Sequence, residues 1–109
     1  PYPPEQIHRI EEIHTLLTEH LDCRYTIEEL SRRYLINTSS LKEIFKSVYG
    51  LPIASYMKEY RMHEAMRLLR ETDDSIASIA SAVGYESQGK FAKAFKDAVH
   101  LSPTQYRKQ

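Results

Sequence analysis

The residues of this chain best equipped for chemistry are cations and polar groups in two short runs. Lys42, Glu43 and Lys46 form one run; Gln88, Lys90, Lys93 and Lys96 form the other. At helical spacing each run sets ammonium groups beside hydrogen-bonding neighbours, which suits the holding of an anion rather than the breaking of a bond. There is no Gly-rich phosphate loop, and no nucleophile stands with a plausible base. The five histidines, His8, His14, His20, His63 and His100, lack the spacing of metal ligands. The six-residue steps between His8, His14 and His20 turn a helix by about 240° each, so these rings scatter around it. The single Cys23 offers neither an internal disulfide nor a cysteine metal site, and it fits a reducing compartment such as the cytoplasm. The chain is therefore read as a binding protein and not an enzyme, with no metal or cofactor.

The charges that surround these runs are unevenly placed. Net charge over the 109 residues is zero. Residues 1–23 carry one base (Arg9) and five acids (Glu5, Glu11, Glu12, Glu19, Asp22), a balance of −4, and residues 24–109 carry the compensating +4. The basic excess lies where the two lysine-bearing runs are, which favours an anionic partner for that part. No apolar run is long enough for a membrane span, and no secretory signal is present. The start, Pro1-Tyr2-Pro3-Pro4, reads as a linker or a cut made in a longer protein, with residues 1–6 as linker remnant.

The elements that must position the two runs are themselves duplicated. Phe45, Lys46, Leu51 and Tyr56 recur as Phe95, Lys96, Leu101 and Tyr106, fifty positions on. Upstream, Ile27, Leu30, Ser31 and Tyr34 match Ile76, Ile79, Ala80 and Val83 at an offset of 49. Two copies of one unit suggest a device that makes the same contact twice.

Each copy reads as helices. Ile7, Ile10, Ile13, Leu17 and Leu21 predict an amphipathic helix over about 5–21. Thr26 with Glu29 is a capping-box pattern that opens a short helix bearing Ile27, Leu30 and Tyr34. Asn37 caps the next helix, whose buried stripe is Leu41, Ile44, Phe45 and Val48 and which Gly50 ends. Pro52 opens a long helix to about Glu71 through Ile53, Tyr56, Met57, Tyr60, Ala65, Leu68 and Leu69. After the polar break Thr72-Asp73-Asp74-Ser75 comes a short helix with Ile76, Ile79, Ala80 and Val83, and then a turn at Gly84. A further helix carries Phe91, Ala94, Phe95 and Ala98, and a last one begins near Ser102-Pro103 and holds Tyr106. No strand-like alternation of useful length appears. The expected fold is all-α with seven helices.

A short helix, a tight turn and a second helix make a helix-turn-helix, and the small residues Ser31 and Ala80 fall where the two helices must approach closely. Two such units with matching flanks point to double-stranded DNA. A helix over 52–71 is roughly 30 Å long at ~1.5 Å per residue, close to the ~34 Å of one B-DNA turn. The expected target is two direct boxes about one helical turn apart, read by one chain.

Ser75-Ile76-Ala77-Ser78-Ile79-Ala80-Ser81-Ala82-Val83-Gly84-Tyr85-Glu86-Ser87-Gln88, then Phe91, Ala94-Phe95-Lys96 and Leu101-Ser102-Pro103-Thr104-Gln105-Tyr106-Arg107, resembles the signature of the AraC/XylS transcriptional regulators. Tyr25 to Ser31, Leu41, Phe45-Lys46, Gly50-Leu51, Tyr56, Arg61, Ala65 and Leu68-Leu69-Arg70 match the first part of that domain. The resemblance covers residues about 7–107. It implies a DNA-binding domain over 7–109 built of homeodomain-like repeats: a first helix-turn-helix unit at about 7–50, a linker helix at about 52–71 and a second unit at about 75–107. It also implies contact with RNA polymerase and an effector or dimerisation domain ahead of this one.

The face opposite each core stripe offers Ser39, Lys42, Glu43 and Lys46 in the first unit, and Gln88, Gly89, Ala92, Lys93 and Lys90 in the second. The resemblance assigns base reading to Ser39, Lys42, Glu43, Gln88, Gly89, Ala92 and Lys93. Lys46, Lys90 and Lys96 are assigned to phosphate, and the helix starts at Asn37 and Ser87 add backbone N–H groups. Arg61 is read as tying the linker helix to its neighbours rather than clamping a phosphate. Phe45, Phe95, Tyr56 and Tyr106 are read as core wedges. Leu35 stands where the family usually has Gly, so either the turn differs or strain is accepted there. Glu43 replaces a frequent Arg, Lys90 a common aromatic and His100 a common Gly. These departures make the second unit the expected stronger phosphate gripper. The rival reading is a helical module that docks RNA polymerase or a sensor domain and binds DNA only weakly, which zero net charge favours.

Overall fold

The computed structural model describes all 109 residues, as seven helices without a strand: α1 (Pro4–Glu19), α2 (Ile27–Tyr34), α3 (Thr38–Tyr49), α4 (Ile53–Glu71), α5 (Ile76–Ala82), α6 (Gln88–Val99) and α7 (Pro103–Arg107). The chain divides within α4 into two compact units, residues 1–58 and 59–109.

In the first unit Ile10, Ile13 and Leu17 of α1 pack with Leu30 of α2, Leu41, Ile44 and Phe45 of α3, and Met57 of α4. Helix α1 begins earlier than its apolar period predicts. Residues 4–6, expected as linker, form its first turn, and Tyr2 rests on the core. It also ends earlier, at Glu19, yet Leu21 still reaches the core from the following turn. Thr26 and Glu29 form the full capping box: the Thr26 hydroxyl accepts the Glu29 N–H at 3.0 Å, and the Glu29 carboxylate accepts the Thr26 N–H at 2.8 Å. The α3 stripe needs one correction. Val48 is 41% exposed, and its neighbour Tyr49 is the residue that packs. Tyr49 stacks on His14 with ring centroids 4.2 Å apart, and the His14 Nε2 and Tyr56 hydroxyl hydrogen-bond at 2.8 Å.

In the second unit Met62, Ala65 and Leu69 of α4 close over Ile79, Ala80, Val83, Phe91 and Phe95. Tyr60, expected on the buried face of α4, is instead 37% exposed, while Arg61 beside it is buried. Ala98 is exposed and Ala94 only half-buried, and Val99 supplies the contact at that end of α6. Pro52 stands just before α4, its carbonyl accepting the Tyr56 N–H at 2.9 Å, so it serves as the cap rather than the first helical residue. Pro103 does open α7.

The duplicated residues do equivalent jobs. Phe45 meets Tyr56 edge-on with centroids 5.5 Å apart, and Phe95 meets Tyr106 at 5.6 Å. The Ile36 N–H returns to the Ser31 carbonyl and the Tyr85 N–H to the Ala80 carbonyl, the same six-residue closure at the end of α2 and α5. These contacts orient α3 and α6, the helices that carry the two runs of cations.

Candidate nucleic-acid interface

Helices α3 and α6 are both twelve residues long and start from equivalent caps. The Asn37 side chain accepts the Ser40 N–H at 2.8 Å, and the Ser87 hydroxyl accepts the Lys90 N–H at 3.1 Å. Each cap side chain is thus occupied within its own helix, so what it offers an anion is the remaining first-turn N–H groups and the positive end of the helix dipole. Leu41, Ile44 and Phe45 bury one side of α3, and Phe91 and Phe95 one side of α6. At ~100° per residue the opposite side of α3 centres on Ser39, Glu43 and Lys46, with Lys42 at its flank. That of α6 centres on Gly89, Lys93 and Lys96, with Ala92 at its flank. All of these are exposed except Ala92, which is half-buried. Gln88, Asn37, Ser87 and Lys90 are exposed at the helix starts.

The cations differ in their surroundings. Lys42, Lys46 and Lys96 take part in no ion pair, whereas Lys90 is paired with Glu86 and Lys93 with Asp97 at 3.2 Å. Both pairs are solvent-exposed, four residues apart on one helix face, and worth only a few tenths of a kcal/mol. They hold the lysines without locking them, yet they set a carboxylate beside each. Glu86 and Asp97 are neighbours that sequence reasoning overlooked, although their four-residue spacing from Lys90 and Lys93 was there to be read. A Cβ added at Gly89 meets nothing within 4 Å, so the outer surface of α6 is open at that position.

The supports behind this surface are arginines. Arg61, 4% exposed, donates to the Val83 carbonyl at 2.9 Å and so ties α4 to the turn that launches α6. That is the structural role expected for it. Arg107 donates to the Leu69 and Thr72 carbonyls at 3.1 and 3.2 Å, covering carbonyls at the end of α4, and Arg70 bonds the Tyr106 hydroxyl. In the first unit Arg9 donates to the Leu35 carbonyl at 3.2 Å and braces the turn before α3. No group of His, Cys, Asp and Glu side chains is placed to hold a metal ion, and no helix is long and apolar enough to cross a membrane.

A family model described as a helix-turn-helix domain matches residues 30–109. The chain is similar to the HTH-type transcriptional activator RhaR of Mannheimia succiniciproducens, with 30% identity over 93% of this chain and 37% of that protein. It spans well under half the length of the curated relatives it matches. Among solved structures it resembles the C-terminal domain of the two-component response regulator yesN from Fusobacterium nucleatum. The identity there is 31%, the TM-score is 0.80, and 89% of this chain and 95% of that one are covered. It also resembles the DNA-binding domain of the global transcriptional factor AdpA, solved in complex with a target DNA. That match has 25% identity, a TM-score of 0.83, and covers 91% of this chain and 89% of that one. With its two capped helix-turn-helix units and these relatives, the chain belongs to the AraC-type helix-turn-helix family of transcriptional regulators.

Proposed function

We propose that this chain is the DNA-binding part of a transcription regulator, seating α3 and α6 in major grooves and reading two direct boxes about one helical turn apart. The observation that carries the reading is the duplicated, equally long and equally capped pair α3 and α6, each with an exposed polar face opposite its buried stripe. Base reading falls to Ser39, Lys42, Glu43, Gln88, Gly89, Ala92 and Lys93, and phosphate contact to Lys46, Lys90, Lys96 and the helix starts at Asn37 and Ser87. The proposed spacing of the boxes is about one DNA turn, ~34 Å. The greater length of the relatives supports an effector or dimerisation domain elsewhere in a longer protein, and RNA polymerase is the natural protein partner.

Selection of bound duplexes from a randomised library, followed by a salt titration on the winner, tests this. Two enriched boxes in direct orientation are expected, and log affinity should fall with log salt by about 0.9 for each phosphate neutralised. A single box would confine base reading to one unit. A flat salt response without enrichment would favour the protein-docking module that the zero net charge suggested.

A further inference from the structure

Because α3 and α6 share length, cap position and end position, their residues correspond one to one at an offset of fifty: Ser39 with Gly89, Lys42 with Ala92, Lys46 with Lys96. One central outward position inverts its charge, Glu43 against Lys93. Both side chains are exposed and neither touches its unit's core. Glu43 forms no ion pair although Lys46 lies one turn further along, so its carboxylate is available for an outside donor. Lys93 has Asp97 at 3.2 Å, and the residue corresponding to Asp97 in the first unit is the uncharged Ser47.

We propose that Glu43 selects cytosine in the first box where Lys93 selects guanine at the corresponding place in the second, so the two boxes differ and the chain binds them in one orientation. This rests on the two-box reading above. An ionised carboxylate only accepts hydrogen bonds and an ammonium only donates them. In the major groove cytosine presents the N4 amino donor, whereas adenine sets its N6 donor beside the N7 acceptor, which repels a carboxylate. Guanine presents two acceptors, N7 and O6, and is the natural partner of a lysine. Lys42 and Lys46 flank Glu43 and offset its repulsion from the phosphates, which lets a carboxylate occupy a groove-facing position. Ser39 against Gly89 and Lys42 against Ala92 already make the two readers unlike, and the inverted charge adds opposite base preferences at one corresponding position.

The test is duplex selection with the whole chain and with E43K, E43Q and K93E, all surface changes. The native chain should favour cytosine at one first-box position by at least about fivefold. E43K should move that position to guanine and E43Q to adenine, both leaving the second box unchanged. K93E should turn the corresponding second-box guanine to cytosine. If the Glu43 variants change affinity by one factor on every duplex while both boxes persist, the carboxylate acts only on phosphates. The proposal is then overturned and the two-box reading stands. If no first box appears for any variant, E43K included, the proposal falls together with base reading by the first unit.

Discussion

At Leu35 and His100 the backbone enters the left-handed region, with φ of 52° and 69°. Gly50 and Gly84 do the same at 87° and 89°. Each unit therefore has two left-handed turns, one after its short helix (α2 or α5) and one after the twelve-residue helix that follows (α3 or α6), and fills only one of them with glycine. The first unit places its glycine after α3, and the second places it after α5. Of the two alternatives open for Leu35, the structure takes strain in an ordinary turn, and the side chain recovers nothing by burial, being 80% exposed. Leu35→Gly is expected to raise unfolding free energy by about 0.5–1 kcal/mol, the relief of left-handed strain less the added freedom of the unfolded chain. His100→Gly should behave alike. Gly50→Ala should lower stability by about 1 kcal/mol, and since its Cβ meets nothing within 4 Å the cost is conformational alone. Urea midpoints of the three variants check this, and a destabilised Leu35→Gly would contradict it.

At the scale of elements, the stack of His14 on Tyr49 joins α1 to α3, and the His14–Tyr56 hydrogen bond joins α1 to the first turn of α4. Burial lowers the His14 pKa below its ordinary 6.5. The unfolded chain then binds more protons than the folded one as pH falls past 6.5, so stability rises with pH across that window. The contribution is fully present above 6.5 and is lost as pH falls through the folded value. Denaturation at about pH 7.5 and about pH 5.5 should show the first unit weakening in acid, and His14→Phe should reduce that difference. An unchanged pH response in His14→Phe would exclude His14 as its source. The α2 capping box titrates in a lower window. The Thr26 backbone N–H, followed by its side chain, holds the Glu29 pKa below 4.5, so that contribution is present above 4.5 and disappears as pH falls through the folded value. Thr26→Ala should cost about 1 kcal/mol near neutral pH.

Over the whole molecule α3 and α6 carry similar lysines in unlike electrostatic settings. Removing Lys42 takes one free cation from α3. Removing Lys93 takes a cation from α6 and also leaves Asp97, its partner at 3.2 Å, unneutralised on the surface proposed to meet phosphate. Lys93→Ala is therefore expected to weaken DNA binding more than Lys42→Ala, and Asp97→Asn should strengthen it about two- to threefold at low salt. Equal losses for the two lysine variants in a binding titration would contradict this. The expected superiority of the second unit as a phosphate gripper thus depends on how far Glu86 and Asp97 give up Lys90 and Lys93 when DNA arrives. The steepness of the salt response in Asp97→Asn reports on that directly.

The seven helices, most of their caps and the repeat were legible in the residues alone, because helices and caps depend on contacts within about four residues and on an apolar period that local spacing displays. The wedges Phe45–Tyr56 and Phe95–Tyr106 were legible for a second reason: the chain states them twice at identical spacing. The outward faces bearing Ser39, Glu43, Lys46, Gly89, Lys93 and Lys96 followed from the buried stripes, since a helix has only one side left. Depth did not follow. Period names a face but not how far a neighbour covers it, so Val48 and Tyr60 were expected inside and Met62 was overlooked. Nor did the partners of the long-range ties: Arg61 reads as a tie of α4, but its acceptor Val83, and Leu69 as acceptor for Arg107, stand 22 and 38 residues away. Tertiary packing alone brings those carbonyls within reach of a guanidinium, and only it decided that His14, one of five scattered histidines, would be the one stacked against a tyrosine.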